Sequence, residues 1–498
     1  MRKHVALVFA AMVGFALSAA PADEGEGHEP KDEIVTTEHS ATIAGETIDY
    51  TVHTGTMVLP SYDGEPRAEI FFIAYLKNGV EDPATRPITF SFNGGPGSSS
   101  VWLHLGVLAP VRVDMGPEGF GGPPPSRLVE NEHSILDLTD LVFIDPVSTG
   151  YSRPVDGVSA KDFHGLREDI QSVADFIRLW TTRNERWSSP KMLIGESYGT
   201  TRAAGLAGYL QNTHGMFLNG VMLVSPVLNF QTIRFNTGND TPFWNFLPTY
   251  TATAFYHGML EGELAEDLER TVEMAERWAE TDYLTALAKG DRLTGEERAH
   301  IREQLAAYTG LSEEFLEQSD LRVNIFNFTK ELLRHKSRTV GRLDSRFVGM
   351  DRLDVGDSYE WDPSMVAILG PYTAMLNDLV RRQYGYKNDH VYEILTGRVR
   401  PWSYAGDQNR YVNVAETLRS AMHRNPWLKV WVSAGYYDLA TPHFAAEYTV
   451  DQMQLDASVR DNVMFTYYEA GHMMYIHEGE LEQFREDAVE FIDWAIPD

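Results

Sequence analysis

The sequence contains a serine whose neighbours suit nucleophilic catalysis. Ser197 is the centre of Gly-Glu-Ser-Tyr-Gly at residues 195–199, which follows the apolar run 192–194 and precedes a segment of small residues at 201–210. A serine on a sharp strand-to-helix turn needs small residues two positions before and after it. The helix N-terminus behind such a serine favours developing negative charge. We interpret Ser197 as a nucleophile; an ordinary turn is the alternative for this pentapeptide.

A serine nucleophile needs a base, and the base needs a carboxylate that fixes its tautomer. Two late apolar runs, at 428–432 and 463–468, each lead into a loop that holds one such group, Asp438 and then His472. The order of serine, aspartate and histidine is that of α/β-hydrolase sheets, where the three lie on loops after successive strands. This position favours His472 over His443 and His477, and it favours a catalytic Asp438 over a turn aspartate.

The same chemistry needs N–H donors for the oxyanion of a tetrahedral intermediate. The N–H of Tyr198, directly after the nucleophile, is one candidate. The apolar run 88–92 leads into Asn-Gly-Gly-Pro-Gly-Ser-Ser-Ser at 93–100, where bare backbone can approach an intermediate and supply a second donor. A phosphate-binding loop is the competing interpretation, but neither a Walker lysine nor a Gly-x-Gly-x-x-Gly pattern is present.

Continuous apolar runs predict the sheet that must position these groups. Residues 88–92, 141–144, 192–194 and 221–224 are almost entirely apolar, which is typical of strands buried on both faces of a parallel sheet. Apolar residues at helical spacing between Leu166 and Trp180 predict a crossover helix. Alternation at 36–58 around a Gly45-Glu46 turn predicts a hairpin, and 68–76 predicts a further antiparallel strand. The pattern indicates an α/β fold.

Composition excludes several classes of function. Lys and Arg total 42 against 72 Asp and Glu, so the formal net charge of the 498-residue chain is −30. Such a charge repels phosphate backbones and anionic membrane surfaces, so we expect no nucleic-acid partner. The chain has no cysteine, which excludes disulfides and thiol catalysis.

The first residues have the pattern of a targeting segment. Basic residues at 2–4 precede an apolar run at 5–17 and small residues at 18–22. This pattern predicts a signal peptide at 1–22, cleaved near Ala20 or Ala22, and the run is too short to span a bilayer; a buried N-terminal helix is the alternative. We therefore expect an exported protein, periplasmic or secreted, with no membrane attachment after cleavage.

Composition and hydrophobic pattern divide the remaining chain into four parts. An acidic, polar stretch at 23–36 predicts a linker, and the buried strands indicate an α/β core in two parts, at 37–238 and 391–498. Between them, acidic and alanine-rich helical segments such as 261–280 and 296–308 predict a helical insertion at 239–390.

Four stretches together resemble the signature blocks of the serine carboxypeptidase family, peptidase family S10. They are Asn-Gly-Gly-Pro-Gly-Ser-Ser at 93–99, Gly-Glu-Ser-Tyr-Gly at 195–199, Gly-Tyr-Tyr-Asp at 435–438 and Gly-His-Met at 471–473. The resemblance covers the core from about 85 to 235 and from 395 to 498. It implies an α/β-hydrolase fold with a mostly parallel sheet, and it makes the helical insertion a cap over the active site.

The resemblance also implies roles for single residues. The catalytic triad would be Ser197, Asp438 and His472, with oxyanion donors at the N–H groups of Gly95 and Tyr198. Recognition of a substrate's terminal carboxylate maps onto Asn93, Gly94 and Glu196. A carboxyl group hydrogen-bonds a carboxylate only when one of the two carries a proton, so this recognition is expected to favour mildly acidic conditions.

Two positions differ from the family's pattern. Ser98 stands where many members have Cys, which suits a chain without disulfides, and Val107 stands where members have a Glu in the following helix. The second difference removes a carboxyl group from the expected carboxylate-binding network. It keeps open an esterase or acyltransferase that acts on a non-peptide acyl substrate, because the fold and triad do not fix the leaving group.

The leading hypothesis is a serine carboxypeptidase that releases C-terminal residues from peptides through an acyl-enzyme. The reaction needs no metal and no organic cofactor, and the chain has no His-Glu-x-x-His zinc motif. A non-catalytic binding protein that retains the fold is a third hypothesis. The expected partner is a peptide substrate, and the assembly is a monomer or a homodimer.

Overall fold

The computed structural model describes residues 30–496, so the signal peptide predicted at 1–22 lies outside the described residues. The strands of the described chain are β1 (Glu33–Ile43), β2 (Glu46–Pro60), β3 (Pro66–Lys77), β4 (Ile88–Phe92), β5 (Val111–Val113), β6 (Leu128–Glu130), β7 (Asp140–Ile144), β8 (Arg153–Pro154), β9 (Lys191–Glu196), β10 (Gly220–Val224), β11 (Thr339–Val340), β12 (Val348–Gly349), β13 (Lys429–Gly435) and β14 (Val463–Tyr468).

One large sheet runs through the molecule in the strand order β1-β2-β3-β7-β4-β9-β10-β13-β14, with β8 paired to β3. From β7 to β14 every neighbouring pair is parallel. All residues of β4, β7, β9 and β10 are buried, as expected for strands covered on both faces. The predicted parallel sheet is confirmed.

The N-terminal strands form the antiparallel end of the sheet. Strand β1 pairs with β2, β2 with β3, and β3 with β7, all antiparallel. The hairpin turn lies at Ala44 and Gly45, one residue earlier than predicted, and both have positive φ, 50° and 80°. Such φ values match the two-residue turns that fit the twist of paired strands. The linker prediction is wrong at its end, because β1 already begins at Glu33.

Helices cover both faces of the sheet. The α-helices are α1 (Val101–Leu103), α2 (Leu166–Arg183), α3 (Tyr198–His214), α4 (Thr241–Asn245), α5 (Leu247–Tyr256), α6 (Leu268–Trp278), α7 (Leu284–Lys289), α8 (Gly295–Thr309), α9 (Glu313–Gln318), α10 (Ile325–Glu331), α11 (Pro363–Asp378), α12 (Ala415–Arg424), α13 (His443–Asp451), α14 (Ala457–Arg460) and α15 (Glu478–Ala495). Residues of α2, α3 and α12 form one core with the sheet, and residues of α11 and α15 form another on the opposite face. The layered arrangement confirms the α/β prediction.

The predicted insertion is mainly helical and has a core of its own. Helices α5 to α10 contribute buried residues to one cluster, which also includes Leu439 and Phe444 from the second part of the α/β core. Two features were not predicted: a small β11–β12 pair lies inside the range, and α11 packs into the core of the sheet. No helix within residues 30–496 combines the length and apolar character that crossing a bilayer requires.

Candidate active site

Ser197 occupies a strained turn between β9 and α3. Its backbone has φ 59° and ψ −128°, which is unusual for a residue with a side chain. A Cβ atom on Gly195 would lie 2.3 Å from the carbonyl oxygen of Gly199, and one on Gly199 would lie 2.7 Å from the carbonyl oxygen of Phe92. Both glycines are therefore needed for the turn to close, and the half-buried Ser197 is left at the N-terminus of α3.

Asp438 and His472 meet at the ends of the neighbouring strands β13 and β14. The Nδ1 atom of His472 lies 2.6 Å from Oδ2 of Asp438. Asp438 is fully buried, and it accepts further hydrogen bonds from the N–H of Ala440 at 2.7 Å and from the N–H and hydroxyl of Thr441 at 3.1 and 2.7 Å. These donors fix the carboxylate, and the carboxylate orients the imidazole ring.

The geometry leaves Nε2 of His472 as the ring nitrogen that can serve Ser197. Both residues line one cavity, although residues 30–496 contain no direct hydrogen bond between the two side chains. Catalytic hydrogen bonds commonly tighten only when substrate binds. Burial opposes protonation of His472, but the carboxylates of Asp438 and Glu196 outweigh it and raise the pKa of the imidazole above its usual value.

A segment of the insertion holds the His472 loop in place. We refer to residues 341–346 as the cap strap. The N–H of His472 donates to the carbonyl of Leu343 at 2.6 Å, and the N–H of Gly471 donates to Oδ2 of Asp344 at 3.2 Å. A Cβ atom on Gly471 would lie 2.4 Å from that of Asp344, so the close approach requires glycine there.

The cap strap also contacts the Asp438 loop. The N–H of Leu439 donates to the carbonyl of Arg342, and the N–H of Ser345 donates to the carbonyl of Tyr437, both at 3.0 Å. The strap therefore bridges the two loops that carry the predicted base and its carboxylate. This contact could not be predicted from the sequence, because the strap contains no motif and lies about 100 residues before either loop.

The predicted oxyanion donors lie at the mouth of the nucleophile turn. A Cβ atom on Gly94 would lie 2.4 Å from the backbone nitrogen of Tyr198, so the glycine stretch after β4 packs directly against the start of α3. Gly95 has φ 101°, a conformation that favours glycine. Gly94, Gly95 and Ser197 all line the same cavity, which brings the predicted backbone donors next to the nucleophile.

Glu196 is buried beside this cavity and is held by polar neighbours. It accepts a short hydrogen bond from the hydroxyl of Tyr475. Burial raises the pKa of Glu196 to about 7, while His472, Tyr475 and Asn93 act in the opposite direction. The amide Nδ2 of Asn93 is buried and has no hydrogen-bond partner of ordinary geometry within residues 30–496. It is therefore a donor that a bound substrate could use.

Tyr475, and not residue 107, supplies the polar group that is hydrogen-bonded to Glu196 in this chain. Val107 is fully buried in the apolar core and does not line the cavity around Ser197. A Cβ atom on Gly106 would lie 2.3 Å from the ring of Tyr475 and 3.0 Å from the hydroxyl of Tyr372. The missing side chain at Gly106 thus leaves room for two tyrosines near Glu196. The spacing of the motifs could not reveal this arrangement.

The cavity has a volume of about 300 Å³ and contains both apolar and cationic groups. Its apolar lining includes Trp102, Met365, Ile368 and Met473, and its cationic lining consists of Arg342 and Arg400. Neither arginine forms an ion pair with a carboxylate in the part of the chain that the structure describes. Met473 belongs to a motif that the sequence indicated, and the sequence predicts Trp102 as a core residue. The sequence did not indicate Arg342, Met365, Ile368 and Arg400, because they lie outside the motifs and meet only in the folded chain.

The two competing histidines lie elsewhere. His443 begins α13 and pairs with Glu276 at 3.1 Å, and His477 caps α15 and lies 3.5 Å from Glu118. Neither lines the cavity that contains Ser197. The geometry therefore agrees with the choice of His472.

Comparison with known proteins gives partial matches to serine carboxypeptidases. Serine carboxypeptidase-like 16 of Arabidopsis thaliana is 25% identical over 218 residues, which are 42% of this chain and 45% of that protein. The pheromone-processing carboxypeptidase KEX1 of Saccharomyces cerevisiae is 30% identical over 158 residues, which are 30% of this chain and 20% of that protein. The chain thus matches less than half the length of these relatives.

The similarity in structure covers more of the chain than the similarity in sequence. The crystal structure of the prohormone-processing carboxypeptidase KEX1(ΔP) from Saccharomyces cerevisiae has a TM-score of 0.54 at 17% identity, and the match covers 89% of this chain and 91% of that one. At 17% sequence identity, this structural similarity establishes the fold alone, which is that of the α/β-hydrolases. The family model for serine carboxypeptidases matches residues 47–482, a span that contains all four motifs. This chain belongs to the serine carboxypeptidase family.

Proposed function

We propose that the protein is a serine carboxypeptidase that releases the C-terminal residue of peptides. The observation that carries the proposal is the position of Glu196, a buried carboxyl group with a pKa of about 7 directly before the nucleophile. Below that pH it is protonated and can donate a hydrogen bond to a substrate's terminal carboxylate. An enzyme that acts on uncharged esters has no evident use for such a group.

The chemistry follows from the placement of the three catalytic groups. The hydroxyl of Ser197 attacks the last peptide carbonyl while Nε2 of His472 takes its proton, and Asp438 stabilises the imidazolium. The oxyanion is bound by the N–H groups of Gly95 and Tyr198. His472 then protonates the leaving amine, an acyl-enzyme remains, and water activated by the same histidine releases the shortened peptide.

Further groups in the cavity support recognition of a C-terminal residue. Arg342 and Arg400 place positive charge in the cavity of a chain whose formal net charge is −30, and this favours an anionic substrate group. The Nδ2 of Asn93, which has no hydrogen-bond partner of ordinary geometry within residues 30–496, is a further donor beside Glu196. The apolar side chains of Trp102, Met365 and Ile368 line the remaining space, so we infer a preference for a hydrophobic C-terminal side chain.

Protonation states limit the pH range from both sides. The base must be neutral, so activity falls at low pH as His472, whose pKa is raised, becomes protonated. Recognition of the terminal carboxylate weakens as pH rises through the pKa of Glu196, about 7. The two limits leave a narrow range, so we expect exopeptidase activity to peak slightly below neutral pH and to fall as the solution becomes more acidic.

The test compares an N-blocked dipeptide with the same dipeptide as its C-terminal amide, across pH 4 to 8, with Ser197→Ala as the control. We expect serine-dependent release of the free amino acid from the acid, and kcat/KM for the acid to exceed that for the amide at pH 5 by more than at pH 8. Equal rates for the acid and the amide at every pH would show that the enzyme does not recognise the terminal carboxylate. That result would contradict the carboxypeptidase proposal.

An esterase or acyltransferase is the second candidate, and the apolar Val107 favours it. The family's second carboxyl group is absent there, and a tyrosine hydroxyl is hydrogen-bonded to Glu196 instead. Hydrolysis of a simple acyl ester without any release of amino acid from blocked dipeptides would select this candidate. Labelling of Ser197 by an active-site serine probe is expected under both proposals, and its failure would favour a non-catalytic protein.

We also propose that the protein is exported with cleavage after Ala20 or Ala22. The support is the basic, apolar and small-residue pattern of residues 1–22. Intact-mass measurement of the protein from the external fraction of a producing cell tests this. A mature chain that retains Met1 and the apolar run would contradict the proposal.

A further inference from the structure

Three potential metal ligands come together away from the predicted active site. Glu276 lies on α6, and His443 and Glu447 lie four residues apart on α13. One ligand atom from each side chain lies within 4.8 Å of the other two. The group joins a helix of the insertion to a helix of the α/β core, and none of its members lines the cavity that contains Ser197.

The spacing suits coordination of a single ion. Residues four apart on a helix project from the same face, so His443 and Glu447 can bind one metal without any change in the backbone. The Nε2 atom of His443 lies 3.1 Å from Oε1 of Glu276. Two ligands bonded to one ion at about 2.0–2.2 Å are separated by roughly that distance in tetrahedral or octahedral geometry.

The surroundings of His443 orient its ring for this role. The side chain is fully buried, and Nδ1 lies 3.3 Å from the hydroxyl of Thr249. Metal-binding histidines usually donate the other ring N–H to a protein oxygen in this way, which directs the remaining lone pair at the metal. In the tautomer in which Nδ1 donates to Thr249, the lone pair of Nε2 faces the carboxylate of Glu276, and a cation between the two would be bound by both; in the other tautomer Nε2 donates its N–H to Glu276.

The two carboxylates also favour a cation at this place. Glu276 and Glu447 repel one another, while His443 attracts Glu447 when the ring is charged. Tyr467 is hydrogen-bonded to Glu447, as expected for a partner that holds a ligating carboxylate. Both glutamates are half-buried, so water can complete a coordination shell that the three protein ligands leave open.

We propose that Glu276, His443 and Glu447 form a binding site for a divalent transition-metal ion of the Zn²⁺ class, with water as the remaining ligand. An imidazole nitrogen favours such ions over Ca²⁺ and Mg²⁺, which prefer all-oxygen shells. The site is structural: it ties α6 to the start of α13, which begins two residues after Thr441. Catalysis proceeds without the ion, so the site is compatible with the cofactor-free reaction predicted from the sequence.

The alternative is a protonated His443 that pairs with both glutamates and binds no metal. The test is calorimetric titration of ZnCl₂ into the chelator-treated full-length protein, together with thermal unfolding with and without zinc. We expect about one zinc per chain and a rise in Tm of about 2 °C or more at saturating metal. The three variants Glu276→Gln, His443→Gln and Glu447→Gln are each expected to lose the saturable binding.

Glu273→Gln is the matched control, because it removes a carboxylate from the exposed side of the same helix α6. It is expected to bind zinc like the parent protein. If a His443 variant fails to fold, the two glutamate variants decide. Absence of saturable uptake, or uptake unchanged in Glu276→Gln and Glu447→Gln, overturns the proposal, and neither result bears on the peptidase activity.

A spectroscopic measurement identifies the ligands directly. Co²⁺ bound in place of Zn²⁺ is expected to give visible absorption bands that Glu273→Gln retains and Glu447→Gln loses. Bands that persist in Glu447→Gln and His443→Gln alike place the ion elsewhere on the chain and overturn the assignment.

Discussion

The hydroxyl of Tyr475 donates a hydrogen bond to the carboxyl group of Glu196, which lies 279 residues earlier in the chain. Glu196 precedes the predicted nucleophile, and Tyr475 follows the predicted base His472 by three residues. The bond thus links the carboxyl group that we propose binds substrate to the loop that carries the predicted base. In this chain the hydrogen-bond donor to Glu196 is a phenol, while residue 107, where the family resemblance implies a second carboxyl group, is an apolar valine.

Removal of that hydroxyl is expected to change pH dependence. The hydrogen bond from Tyr475 lowers the pKa of Glu196, so Tyr475→Phe raises it and keeps the carboxyl group protonated to higher pH. The KM for a blocked dipeptide is then expected to begin its alkaline rise at higher pH than in the parent. Tyr372→Phe is the control, because Tyr372 is equally buried but makes no hydrogen bond to Glu196. An unshifted KM profile in Tyr475→Phe would contradict the prediction.

The Glu196 side chain is expected to lower stability at neutral and alkaline pH. Its pKa of about 7 lies above the ordinary 4.5, so the folded state binds a proton that the unfolded state releases. The stabilising contribution is therefore complete below pH 4.5 and is lost as pH rises through 7. We expect the Tm of Glu196→Gln minus the Tm of the parent to become more positive from pH 5 to pH 8. For the exposed Glu482→Gln, the same difference is expected to stay constant. A constant difference in Glu196→Gln would show that the carboxyl group ionises normally.

Thr441 is expected to act through the orientation of Asp438 and His472. Its hydroxyl lies 2.7 Å from Oδ2 of Asp438 and 3.2 Å from Nδ1 of His472. Thr441→Val should lower kcat about tenfold with little change in KM, the effect of one lost hydrogen bond on a charged group. Thr449→Val removes a buried hydroxyl that bonds only its own helix, so it serves as the control. Equal kinetics in the two variants would exclude a positioning role.

Gly94 is expected to be irreplaceable for activity. An alanine methyl there would lie 2.4 Å from the nitrogen of Tyr198, so Gly94→Ala must displace the nucleophile turn or the glycine stretch. We expect kcat to fall at least about 100-fold, the size of effect that follows loss of one oxyanion donor. Gly122→Ala, where a methyl meets nothing within 4 Å, should retain parental kinetics. Comparable activity in both variants would mean that the backbones at Gly94 and Tyr198 can move apart without loss of activity.

Local pattern was sufficient to predict the sheet and the strand ends at which the predicted catalytic residues lie. The parallel strands are short, and β4, β7, β9 and β10 are buried on both faces, so each of them is an apolar run that ends in a loop; the partly exposed edge strand β14 is also rich in apolar residues. Ser197, Asp438 and His472 each follow such a run, and chain order alone then indicates which of many serines, aspartates and histidines to choose. These features are encoded within a few residues of each strand.

Long-range contacts could not be predicted from the sequence. Tyr475 and Gly106 meet only because the His472 loop folds onto the segment after α1. Arg342 belongs to the insertion, where helical periodicity identifies helices but not the direction in which a connecting segment runs. The hairpin turn was misplaced by one residue because Ala44 adopts a positive φ that its side chain ordinarily disfavours. Packing, not propensity, decides each of these cases.

The cap strap has a consequence for how such enzymes can be engineered. Residues 341–346 lie within the stretch that would be exchanged in a chimera designed to alter substrate preference, yet their backbone is bonded to both the His472 and Asp438 loops. A graft that replaces 239–390 as one block therefore removes supports of the Asp438 and His472 loops along with the helices of the insertion. Crossover points on either side of the strap would allow those helices to vary while the two loops keep their anchor.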